Sequence, residues 1–140
     1  MPYTATVDVD DVPIGHRLKG SSRAEQRSYH GNAFKFSFTL SRAALDKEGK
    51  VVDFSAAREL LGGWLHEHWG HAMLLEFDDP LLDAMKATGS KVCVMACPPT
   101  VEHLARLAFE AAAQLLKPLG AEVLHVSCYE TPTSRAGYAR

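Results

Sequence analysis

The chain has 140 residues, 46% hydrophobic and 23% charged, with 15 basic against 17 acidic side chains and a formal net charge of −2. This is one domain's length and an ordinary globular composition, which excludes a disordered chain, a collagen-like repeat and a coiled coil. No lysine–arginine stripe is present to meet a phosphate backbone, and no apolar run approaches the roughly 20 residues of a membrane helix. Neither nucleic acid nor a membrane is therefore expected as a partner. Met1-Pro2-Tyr3 opens no basic-then-apolar signal pattern, so a cytoplasmic location is the default expectation. No repeat or Pro/Gly-rich linker divides the sequence, and residues 1–140 are expected to form a single domain.

In chain order, Thr4 to Val9 alternates weakly and reads as a strand. Residues 10–32 are polar, with Gly15, Gly20, Gly31 and Ser21-Ser22, and read as a long irregular segment or a loosely paired strand. A loop of that length inside a compact domain is expected to be functional. Phe34, Phe36, Phe38 and Leu40 alternate with Lys35, Ser37 and Thr39, the clearest period of two in the chain. Asp46 to Gly49 reads as a turn and Val51 to Phe54 as a short strand closing a hairpin. Ser55 is the expected N-cap of a helix over 56–68 that carries Leu60, Leu61, Trp64, Leu65 and His68 on one side, with Gly62-Gly63 marking close packing. Phe77 to Pro80 is a break, 81–87 a short helical piece and 91–97 a buried strand.

Pro98-Pro99-Thr100 starts a second long helix, with Thr100 as N-cap and Glu102 in the positive first turn. Its stripe is Leu104, Leu107, Ala108, Ala111 and Leu115, and Lys117 to Gly120 closes it. In a last strand over 122–130, Leu124, Val126, Cys128 and Glu130 share a face. The order is that of an α+β protein with antiparallel hairpins. Cys93, Cys97 and Cys128 are an odd, sparse set and read as buried free thiols.

Seven histidines raise the question of a metal. His66-Glu67-His68-Trp69-Gly70-His71 is not a metalloprotease helix, because that motif needs its second histidine four residues after the first and Gly70 stands there. His68 and His71 either share a helix face three residues apart or form a solvated helix end near the negative pole of the dipole, and His103 and His125 read as structural. His16 and His30 differ, since they lie on the irregular segment beside the strongest strand.

Taken together, His16-Arg17-Leu18, His30-Gly31-Asn32-Ala33-Phe34, Val52-Asp53-Phe54, Gly70-His71, Pro99-Thr100-Val101-Glu102 and Glu130-Thr131 resemble the 6-pyruvoyltetrahydropterin synthase / 6-carboxytetrahydropterin synthase family. The resemblance runs in order from His16 to about Tyr138. It implies a tunnelling fold, a four-stranded antiparallel sheet with two helices on one face. Protomers of the family form homotrimers whose sheets close a β-barrel, often stacked as homohexamers, and association would remove the exposed sheet edges. The active site implied lies between protomers and binds a pterin precursor made from GTP.

The family's zinc is held by three histidines, which leave an open coordination position. Carried over, the first two ligands are His16 and His30, while the third position is Asn32, a poor zinc donor; His66 or His68 would be a substitute from elsewhere in the chain. Gln26 stands where the family has its proton-abstracting cysteine; some relatives use a glutamate near this point, and Glu25, one residue back, would take that place only with a register shift. The family's Asp-His pair is here Gly70-His71. Glu130 would grip the amino-pyrimidine edge of the substrate and relay protons with His71, and Thr100 would line the pocket.

The activity so implied is that of a divergent 6-carboxytetrahydropterin synthase-like lyase acting on a dihydroneopterin triphosphate-type pterin, on the deazapurine route that leads to queuosine. The alternatives are a pterin- or purine-binding protein of the same fold without the standard lyase activity, and a purely structural subunit.

Overall fold

The aromatic row of Phe34, Phe36 and Phe38 with Leu40 is the axis of the molecule, each side chain at most 1% exposed. Burial of each contributes about 1.5–3 kcal/mol, and the strand that carries them is central to the sheet. The computed structural model describes residues 2–140. Its strands are β1 (Tyr3–His16), β2 (His30–Arg42), β3 (Ala72–Glu76), β4 (Val92–Met95), β5 (Glu122–Thr131) and β6 (Ser134–Ala139). Its helices are α1 (Ala24–Arg27), α2 (Phe54–His68), α3 (Leu82–Ala87) and α4 (Val101–Leu115), followed by a 3-10 turn at Lys117–Leu119.

The strands form one mixed sheet in the order β4-β3-β1-β2-β5-β6. β1, β2, β5 and β6 pair antiparallel, while β3 joins β1, and β4 joins β3, in parallel. The sheet thus has six strands rather than the four expected. α2 packs on β1, α4 on β5 and β6, and the two helices meet each other. The inward set on the sheet (Val7, Val9, Val12 and Ile14 with the β2 aromatics, Val126 and Cys128) is buried.

Several sequence expectations are corrected by this pairing. The segment over 10–32 is not one long loop: β1 continues to His16 and β2 begins at His30, pairing His16 with His30, so only 17–29 lies outside the sheet. A bulge at Asp10-Asp11, with Asp11 at φ 54, inserts one residue between the Val9–Phe36 and Val12–Phe34 pairs. It restores the inward phase that Asp10-Asp11 would otherwise break. Residues 51–53 form no strand; Val51 and Val52 are buried in the core. The N-cap of α2 is Asp53, whose carboxylate accepts the Ala56 N–H at 2.9 Å, while Ser55 lies inside the helix.

On α2 the buried side is Ala57, Leu61, Gly62 and Leu65. A side chain at Gly62 would meet Val9, whereas Gly63 faces open space. The buried stripe of α4 is Leu104, Ala105, Ala108, Phe109 and Ala112, rotated from the one expected. In β5, a second bulge between the Thr39–His125 and Leu40–Val123 pairs turns Leu124 outward and buries Val123. The cysteines are free, Cys128 buried and Cys93 and Cys97 half-buried. No helix among the described residues is long and apolar enough to cross a membrane.

Candidate metal centre

β1 ends and β2 begins at the same end of the sheet, so the register that pairs His16 with His30 sets their rings side by side, with centroids 4.5 Å apart. Phe34, four pairs along, meets the His16 ring edge-on at 5.4 Å. β5 reaches the same end, where the β5–β6 register slips between Tyr129 and Thr131 and leaves Glu130 as the extra residue. Such bulges re-aim a side chain at the end of a ladder. Glu130 Oε1 lies 2.9 Å from His16 Nε2 and 3.5 Å from His30 Nε2.

The far side of each ring is occupied. His16 Nδ1–H donates to the Pro99 carbonyl at 2.8 Å, and His30 Nδ1–H to the Ser28 carbonyl at 3.0 Å. A carbonyl only accepts, so both rings carry a proton on Nδ1 and turn Nε2 toward Glu130. A lone pair on Nε2 facing a carboxylate oxygen is repulsive, so the contact calls for a cation between them, a proton or a metal ion. One donor atom from each of the three residues lies within 4.8 Å of the others. The two spacings, 2.9 and 3.5 Å, bracket the roughly 3.4 Å edge of a tetrahedron with bonds of about 2.1 Å. Two imidazoles whose second nitrogens bind carbonyls, plus one carboxylate, form a donor set that suits zinc.

The cluster opens onto a cavity of about 600 Å³ lined also by Leu18, Glu25, Gln26, Thr100, Val101 and Glu102. Thr100 also caps α4, its hydroxyl accepting the His103 N–H at 3.2 Å. Glu25 is exposed and paired with Arg23, and hydrogen bonds from its own backbone and from Arg23 hold its carboxyl below the usual range. Cys128, two residues before Glu130, is the thiol nearest the cluster in sequence. Burial, with the Glu130 and Glu102 charges beside it, pushes it well above the ordinary thiol range, so it is no base.

His16, His30, Glu130 and Thr100 therefore converge. Within one chain His71 lies apart: it is exposed, has φ 56, and lines a separate cavity of about 370 Å³ with Gly15, Tyr29 and Asn32. The side chain that could serve as third donor beside His16 and His30 is Glu130; Asn32 lines the other cavity with His71, and neither His66 nor His68 reaches the cluster. His66 lines a groove beside Val9, and His68 stacks on Trp64 with Nδ1–H on the Trp64 carbonyl. Gly70 fits its place because a Cβ there would come within 2.7 Å of the His66 carbonyl oxygen at the end of α2. An aspartate at that position would force the backbone to move. His103, bonded to the Pro98 carbonyl, and His125, lying over Gly137, are structural.

Sequence reasoning missed Asp79. It is almost fully buried and bound by Arg17, and its only sequence signal is a carboxylate just before Pro80.

The model of the 6-pyruvoyl tetrahydropterin synthase family matches residues 7–140. The 6-carboxy-5,6,7,8-tetrahydropterin synthase of Rickettsia bellii is 30% identical over 125 residues, 87% of this chain and 90% of the relative. A probable 6-carboxy-5,6,7,8-tetrahydropterin synthase of Halobacterium salinarum is 30% identical over 128 residues, covering 90% and 80%. Among solved structures, an uncharacterized protein of Wolinella succinogenes superposes with a TM-score of 0.84 at 22% identity, over 99% of this chain and 98% of that one. A Plasmodium vivax 6-pyruvoyltetrahydropterin synthase, solved as a catalytic-residue variant, superposes at 0.71 with 15% identity over the same shares. With a match that spans the sheet, both long helices and the whole histidine–glutamate cluster, the chain belongs to the 6-pyruvoyl tetrahydropterin synthase family.

Proposed function

We propose that the protein is a pterin lyase of the 6-carboxytetrahydropterin synthase type, acting on a dihydroneopterin triphosphate-type substrate. The observation that carries this reading is the convergence of His16, His30 and Glu130 at the mouth of a cavity of about 600 Å³. The curated relatives' names support the choice among pterin chemistries. His16 and His30 are the imidazoles that would hold zinc, with Glu130 as third donor. When bound, zinc would polarise the hydroxylated side chain of the substrate and acidify its protons.

The chain's own groups do the rest. The Pro99 and Ser28 carbonyls hold both rings in one tautomer and orientation. With Glu130 Oε1 toward the imidazoles, Oε2 is left to accept an N–H from the amino-pyrimidine edge. Thr100 and Glu102 complete the pocket's polar lining. We place His71 in the cavity of a neighbouring copy within a homotrimer or homohexamer, since in its own chain it lies outside the cavity.

The reaction is expected to be slow, because the general base is weak. Gln26 has no basic group, and Glu25 is held below the ordinary carboxylate range, whereas a general base works best with a value raised toward neutrality. The same observation favours the second reading, a pterin- or purine-binding protein without turnover. Incubation with zinc and dihydroneopterin triphosphate, with products separated by chromatography, tests both. Slow side-chain cleavage that is lost in His16→Ala supports the lyase. Tight pterin binding without cleavage selects the binding protein, and neither binding nor cleavage overturns both.

A further inference from the structure

Residues 17–29 bury very little: α1 has no buried residue, and most of its neighbours are exposed. Yet Leu18, Glu25 and Gln26 from this segment line the metal cavity. Something other than apolar packing must fix their distance from His16 and His30, and polar contacts supply it. The Leu18 N–H donates to the Gln26 carbonyl at 2.7 Å, and Arg17 Nη1 donates to the Arg27 carbonyl at 3.3 Å. Carbonyls at the end of α1, which a helix leaves without internal partners, are thus taken by the two residues that follow His16.

Arg17 is itself gripped by Asp79. Nε donates to Oδ2 at 2.8 Å and Nη2 donates to Oδ1. The Asp79 side chain is 1% exposed and also accepts the Leu81 N–H at 2.8 Å. Lys19 adds a looser outer pair to Asp78 at 3.3 Å. The planar fork of one guanidinium holds both carboxylate oxygens and still reaches a carbonyl, which an ammonium on a flexible stem does not do.

We infer that Arg17 and Asp79 are positioning residues that fix the Glu25–Gln26 wall relative to the histidine–glutamate cluster, and so set the width of the substrate cavity without touching metal or substrate. Only the kinetic consequence rests on the function proposed above. Arg17→Lys keeps a charge facing Asp79 and gives up the arm to Arg27, while Asp79→Asn removes the ion pair. Hydrogen–deuterium exchange of the Leu18 amide reads the wall directly. It should quicken by about tenfold or more in both variants, as expected for a local opening, with zinc affinity unchanged and, in Arg17→Lys, the β2 amides unchanged as well. KM for dihydroneopterin triphosphate should rise by about tenfold while kcat holds, the mark of lost uniform binding.

Unchanged Leu18 exchange in folded Arg17→Lys protein overturns the inference. So does a loss of zinc affinity that matches the gain in exchange, because Arg17 would then support His16 rather than the wall. Should Asp79→Asn fail to fold, Arg17→Lys carries the test alone. Wild-type protein that turns over no dihydropterin defeats the functional reading, and the exchange result still decides this one.

Discussion

His16, His30 and Glu130 stand at the ends of paired strands, with Phe34 against the His16 ring and the β2 aromatics continuing the core behind it. Leu18, Glu25 and Gln26 line the same cavity from a segment whose helix has no buried residue. The first group is held by sheet register and apolar packing, which cost several kcal/mol to disturb. The second is held by a charge-assisted bridge and a few backbone hydrogen bonds. A site built this way fixes its candidate metal donors rigidly and leaves the opposite cavity wall adjustable, and the two parts should fail separately when perturbed.

The largest expected effect falls on the rigid side. Glu130→Gln should lower zinc affinity by about 100-fold or more, since it removes a donor rather than an outer support, with the unfolding midpoint of the metal-free protein nearly unchanged. Competition with a chromogenic chelator measures this. Wild-type affinity in the variant would mean that Glu130 serves the substrate alone, as the family resemblance had it.

The next effect belongs to the wall. The Arg17 guanidinium, with the Leu81 N–H and the Lys19 charge nearby, holds the Asp79 carboxyl below the usual carboxylate range. A group whose value is lowered on folding contributes its full stability above its unfolded value and loses it as pH falls through the folded one. The urea midpoint should therefore stay level from neutrality down to about pH 5 and drop below about pH 4. Asp79→Asn should start lower, by about 3 kcal/mol for a broken buried pair, and show a shallower acid slope. Equal slopes in the two proteins would place the acid sensitivity in other carboxylates.

Smaller effects test the frame behind both walls. Thr100→Ala removes the cap on the His103 N–H and should cost about 1 kcal/mol in chemical denaturation. That loss should be accompanied by weaker pterin binding if the hydroxyl also faces the ligand. Gly63→Ala places a methyl group in open space within α2 and should raise stability by about 0.5–1 kcal/mol. No gain there would mean that this surface is covered by a neighbouring copy of the chain.

How much was legible beforehand varies along the chain for physical reasons. The β2 alternation and the Pro99-Thr100 helix start were plain, because a half-buried strand and a capped amphipathic helix write their periods into the sequence. β3 was not, because a parallel strand buried on both faces shows no alternation: Leu74 and Leu75 are adjacent and both fully buried. β6 was missed because Ser134 to Ala139 is a short edge of small and polar residues, tied to α4 by Tyr138 against Phe109. Of the site, His16, His30, Thr100 and Glu130 were readable as members of a motif series. The Asp79 partner of Arg17 was not, since the two are 62 residues apart and an Asp78-Asp79-Pro80 run reads as a turn.

The sequence by itself determined which residue types were available for chemistry: two imidazoles beside the strongest strand, a carboxylate at the end of the last long one, and no base where the family keeps its cysteine. It determined the family as well, because motif order survives when identity is low. Only the tertiary structure decided which atoms meet. The His16–His30 pairing is set by strand register, Glu130 is aimed by a bulge, and His71 is set apart by the positive φ and crowded glycine that end α2. Register, bulge and turn depend on contacts between segments distant in sequence, and no local pattern encodes them.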